Sequence, residues 1–72
     1  EAISQYKKAA DYKSNPFFTP VYLMKLGIAQ EAAKLPKDAL ATYKRIVEDY
    51  PLSSEVTNAK KYMGVVEGQL GE

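Results

Sequence analysis

Glu48-Asp49 is the densest carboxylate cluster of the chain, and Lys7-Lys8, Lys44-Arg45 and Lys60-Lys61 are its basic pairs. Paired carboxylates can divide general acid and base work between them when their surroundings differ. Here both fall near the end of a helical stretch, where solvation is expected, so no catalytic residue is assigned and no enzyme is expected. The chain has no Cys and no His. That removes the thiol nucleophile, the imidazole base and the usual zinc and copper ligand sets, so neither metal nor cofactor is expected. Gly27, Gly64, Gly68 and Gly71 fit neither phosphate-binding loop pattern. The basic pairs raise a nucleic-acid or lipid reading, yet ten Lys+Arg stand against nine Asp+Glu, a net charge of +1. A dedicated nucleic-acid binder carries a stronger basic footprint. The aromatic residues among the pairs, Tyr6, Tyr43 and Tyr62, fall at core-like spacings, so a solvated convex face is the simpler account.

With 72 residues the chain allows one domain, residues 1–72, and a thin stability margin, because small domains bury a modest share of their surface. No apolar run reaches the roughly 20 residues of a membrane span. The longest, from Val21 to Ala33, is broken by Lys25, Gln30 and Glu31, so no direct membrane insertion is expected. Glu1 is not a translation start, and the chain is expected to be a piece of a longer protein.

The elements that position these residues are punctuated by four prolines, Pro16, Pro20, Pro36 and Pro51. Proline suits the first turn of a helix and breaks its interior. Four helices are predicted, near 1–13, 20–34, 36–50 and 54–70. Thr19 is the expected N-cap of the second, and Ser53 or Ser54 that of the fourth, with Glu55 favourable in its first turn. Val56, Ala59, Met63, Val66 and Leu70 form one stripe on the fourth helix. Ala39, Tyr43, Ile46 or Val47, and Tyr50 form another on the third. The second helix is apolar nearly all round, which makes it the expected central element, and short connections make successive helices antiparallel. Phe17 and Phe18 either fold back as a staple over the seam or contact something upstream.

A shift of 37 positions aligns Ala2 with Ala39, Tyr6-Lys7 with Tyr43-Lys44, Asp11 with Glu48, and Leu26-Gly27-Ile28 with Met63-Gly64-Val65. Such self-similarity is the mark of a repeat. Glycine inside a helix costs about 1 kcal/mol relative to alanine, so Gly27 and Gly64 call for an offset. Close approach of a partner helix supplies it, with Tyr43 against Gly27 and Ala39 as the reciprocal small surface.

These residues resemble the tetratricopeptide repeat family, whose signature runs Trp-x2-Leu-Gly-x2-Tyr, then Ala-x3-Phe, then Pro. Leu26-Gly27 supplies the Leu-Gly pair, Ala39-x3-Tyr43 the Ala-x3-aromatic and Pro51 the closing proline. Leu23 stands where Trp is typical, Gln30 where Tyr is, and Pro36 takes the usual aromatic's place in the turn. The resemblance implies an all-α fold of antiparallel helical hairpins stacked as a short α-solenoid, with a complete repeat at about 20–53 between two half-repeats. It further implies a scaffold whose concave surface binds a peptide or amphipathic helix of a partner protein. The lining positions would be Val21, Met24, Lys25, Ile28 and Glu31 on the second helix and Asn58, Lys61, Tyr62 and Val65 on the fourth. A clamp for a terminal carboxylate wants polar groups where Met24 and Ile28 stand, whereas an apolar or amphipathic helix suits them. The Phe-Phe-Thr-Pro and Tyr-Lys-Arg-Ile-Val-Glu-Asp-Tyr-Pro stretches resemble bacterial envelope members of this class, often membrane-anchored with periplasmic repeats, which assist secretion or envelope assembly. Two other readings stand beside it. One is a self-assembly module in which Ile3, Tyr6 and Ala10 of the first helix pair between copies as a homodimer. The other is a basic-surface binder of nucleic acid or lipid.

Overall fold

The computed structural model describes residues 2–12, 15 and 17–71. Pro16, one of the four punctuating prolines, and Glu1 and Lys13, the ends of the first predicted helix, lie outside the described residues. Four helices follow one another, α1 (Ala2–Tyr12), α2 (Thr19–Ala32), α3 (Pro36–Asp49) and α4 (Glu55–Leu70), and the described residues contain no strand. The class is all-α. α2 touches α1, α3 and α4, and α3 also touches α4. α2 buries Leu23, Met24, Leu26 and Gly27 among these neighbours, while Val21, Tyr22 and Ile28 stay exposed, so its apolar surface is wider than its contacts. The helices form a slab of 36 × 29 × 13 Å.

Antiparallel packing of α2 and α3 is visible in their cross-contacts. Gly27 meets Tyr43 while Gln30 meets Thr42, so numbers rise along one helix as they fall along the other. The core holds Leu23, Ala39, Tyr43, Ile46, Ala59 and Val66 with no exposure at all, joined by Ala10, Met24 and Leu26. Of the alternatives on α3, Ile46 takes the core position and Val47 packs half-buried beside it.

The start of α2 differs from expectation. Thr19 lies inside the helix, and Asn15 does the capping: its Oδ1 accepts from the backbone N–H of Phe17 at 2.8 Å and of Phe18 at 3.1 Å. Thr19 reciprocates, its Oγ1 accepting from the Asn15 N–H at 2.8 Å. Both side chains thus satisfy backbone donors at the entry to α2. α2 ends in a Schellman motif. The Leu35 N–H reaches the Gln30 carbonyl at 2.8 Å, and the Lys34 N–H reaches that of Glu31 at 3.0 Å. Lys34 adopts φ 63° at the position where glycine is usual. α3 opens on Pro36, with Asp38 in its first turn. At α4 Ser53 is the capping serine, its Oγ accepting from the Glu55 N–H at 3.1 Å.

Candidate protein-binding face

Everything near the centre of the slab is organised around Tyr43. A Cβ added at Gly27 would fall within 2.7 Å of Tyr43 Cζ and 2.9 Å of Cδ1, so the ring occupies the space the missing side chain leaves. The ring stacks on Tyr62 at 5.7 Å between centroids and 22° between planes, which ties α3 to α4. The Tyr43 hydroxyl donates to Glu31 Oε2, which ties it back to α2. One residue earlier on each helix, the Thr42 hydroxyl donates to Gln30 Oε1 at 2.6 Å, with the Asp38 carbonyl 3.0 Å distant. No buried side-chain polar atom among the described residues lacks a partner. Burial, then the hydrogen bond to Glu31 and that residue's charge, push the Tyr43 phenol well above its usual range. The tyrosine therefore stays protonated and serves as a fixed donor rather than an acid.

This anchor leaves a strip on the outer side of α2 and α4. Val21, Lys25 and Ile28 recur at i, i+4 and i+7 and are exposed; Asn58, Lys61 and Val65 recur at i, i+3 and i+7 and are exposed too. The remaining candidates serve the interior. Met24, expected on the strip, is 6% exposed and belongs to the core, because its position three residues before Gly27 turns it toward the packed side of α2. Glu31 is half-buried with a carboxylate oxygen committed to Tyr43, and Tyr62 is half-buried beneath the stack. Of the repeat positions, Leu26, Gly27, Ala39 and Tyr43 lie in the core, while Pro51 sits exposed in the α3–α4 turn.

Gly64 departs from expectation. Beyond its own stretch of helix, no described atom lies within 4 Å of where its Cβ would be, so no helix offsets its cost as Tyr43 does at Gly27. α4 packs on α3 and α2 through Ala59, Tyr62 and Val66, which leaves the opposite side, with Gly64, uncovered. Ala10 of α1, one of the residues named for pairing between copies, is buried within the chain. It lies 3% exposed in the core, with Ile3 and Tyr6 packed half-buried against it.

Phe17 and Phe18 do not fold over the seam, being 79% and 63% exposed. Phe17 borders a cleft of about 530 Å³ with Asp49, Tyr50, Pro51, Leu52, Ser53 and Ser54 at the turn end of the slab. Leu52 stands there almost wholly in solvent. Its only sequence signal was an aliphatic residue directly after a turn proline. Glu48 and Asp49 are both exposed. So are the three basic pairs, spread over α1, α3 and α4, with Arg45 of α3 3.6 Å from Asp11 of α1. Among the described residues no group of three His, Cys, Asp or Glu side chains could hold a metal ion, and no helix is long and apolar enough to cross a membrane. Set beside known proteins, the chain matches no family model, no curated protein and no solved structure.

Proposed function

We propose that this chain is a non-catalytic, tetratricopeptide-like interaction scaffold that binds a peptide or helix of a partner protein on the outer face of α2 and α4. The observation that carries the reading is the strip itself. Val21, Ile28 and Val65 are 36%, 47% and 49% exposed, and Lys25, Asn58 and Lys61 frame them on two helices in contact. Aliphatic side chains held half-open on a rigid pair of helices form the kind of groove that takes an amphipathic helix through its own i, i+3, i+4 stripe. Support for the repeat reading comes from the tight Gly27–Tyr43 contact and the full burial of Ala39, both at positions where that family needs small and aromatic residues.

Photoreactive residues placed at Ile28 and, separately, at Val65 test the proposal. The expected result is that both crosslink one and the same partner, that a probe at Lys44 on the other side of the slab does not, and that Ile28→Asp abolishes the product. A partner captured equally from Lys44 removes the assignment to this face.

A further inference from the structure

Resting on that reading, we infer that the α2–α4 face selects an acidic amphipathic helix, one whose aliphatic stripe lies on Val21, Ile28 and Val65 and whose carboxylates reach Lys25 and Lys61. The charge pattern of the face carries this. The charged side chains within the strip are two exposed lysines, one on each helix, in register with the aliphatic residues. The one carboxylate that α2 possesses, Glu31, is half-buried at the Tyr43 hydroxyl and lies six residues from Lys25, turned about 120° away from it around the helix. On α4, Glu67 lies two residues from Val65 and so turns to the opposite side of the helix. Glu55 sits half-buried in the first turn, where it answers the helix dipole. The strip is therefore apolar along its middle and positive at two points on its edges, and a partner with carboxylates flanking an aliphatic ridge is its electrostatic complement.

The partial exposure of the aliphatic residues favours a folded partner over a lipid surface. Val21, Ile28 and Val65 are about half exposed, whereas the residues that project fully, Phe17 and Leu52, stand at the turn end of the slab. Neighbouring helices lie about 8–10 Å apart, a spacing whose groove receives the side chains of a third helix. An anionic membrane is met better by side chains that protrude.

The test uses the whole chain and two blocked helical peptides of identical leucine stripe, one flanked by glutamates and the other by lysines, with affinity read by fluorescence anisotropy. The expected result is that the glutamate peptide binds at least about tenfold more tightly, and that its affinity falls with added salt, as it should for screened rim charges. A Lys25→Glu, Lys61→Glu double variant should reverse the preference, with an unchanged melting temperature confirming its fold. If both peptides bind equally and Ile28→Asp abolishes both, the acidic preference is overturned while the binding face stands. If neither peptide binds, or binding ignores Ile28→Asp, the face assignment itself falls. Binding of the chain to phosphatidylserine vesicles that is lost in the double variant, without peptide binding, would replace the helix by a membrane and overturn the inference.

Discussion

The Tyr43 ring fills the space a side chain at Gly27 would need: an added Cβ would overlap the Cε1 edge and come within 2.7 Å of Cζ. The ring cannot swing aside freely, because Tyr62 stacks on it and Glu31 holds its hydroxyl. Helix propensity alone would reward Gly27→Ala by about 1 kcal/mol. Overpacking a filled core costs about 1–3 kcal/mol, and here it outweighs the propensity gain. Gly27→Ala is expected to lower the urea midpoint, and Gly27→Leu to lower it further. A raised midpoint for the alanine variant would mean that the contact yields and propensity decides.

Gly64 should respond with the opposite sign. It aligns with Gly27 under the 37-residue shift, yet nothing beyond its own stretch of helix stands within 4 Å of its absent Cβ. Gly64→Ala is expected to stabilise the chain by about 1 kcal/mol through propensity alone, seen as a rise in thermal midpoint with an unchanged sedimentation coefficient. Destabilisation by this substitution would reveal a close contact on the outer side of α4.

That contrast marks how far the sequence could be read. Period and proline placement located all four helices, because Ala39, Tyr43 and Ile46 on α3 and Ala59 and Val66 on α4 are the stripe residues that end in the core. The Gly27–Tyr43 contact was legible because a mid-helix glycine needs an offset. The same logic failed at Gly64, because the side of α4 that carries it has no other helix against it. On the strip, Val21, Lys25, Ile28, Asn58, Lys61 and Val65 were foreseen as exposed, and Met24 was not foreseen as core. An all-round apolar helix such as α2 has no polar face to fix its rotation, so a single residue near the boundary is undecided until the partner helices are placed. Asn15 was missed as the cap because it precedes Pro16, and the first turn of α2 was read from Pro20 instead.

Asn15 therefore offers a direct check on the start of α2. Its Oδ1 takes two backbone donors and its own N–H is taken by Thr19. Asn15→Ala should cost about 1 kcal/mol, the usual loss of a cap, while Asn15→Asp should be tolerated. Hydrogen exchange at the amides of Phe17 and Phe18 should accelerate in the alanine variant. Unchanged exchange there would show that the cap does not hold this turn.

Lys34 is the place where the chain can be improved. It is the one non-glycine residue of positive φ among those described, and it occupies the Schellman position that closes α2 onto Gln30 and Glu31. A left-handed conformation costs an L-residue about 1 kcal/mol or more. Lys34→Gly relieves this at some cost in unfolded-chain entropy. A net gain of about 0.5 kcal/mol is expected in chemical denaturation. Lys34→Val, whose branched side chain tolerates positive φ poorly, should lose stability relative to both.

Tyr43 also sets a dependence on pH with a definite sign. Burial and the Glu31 carboxylate raise its phenol above the ordinary 10.0. Above pH 10 the unfolded chain releases this proton while the folded chain keeps it. The folded state then binds more protons, and stability falls as pH rises; below pH 10 the contribution is fully present. The slope attributable to one such proton is at most about 1.4 kcal/mol per pH unit. Tyr43→Phe removes that slope. It also leaves Glu31 without its donor, at a cost of about 1–2 kcal/mol near neutrality. Urea denaturation of the two proteins at pH 7 and between pH 10 and 11 should therefore show a gap that narrows as pH rises. A gap that stays constant would mean that Tyr43 ionises in the folded chain as readily as in the unfolded one, and that its hydroxyl is not held by Glu31.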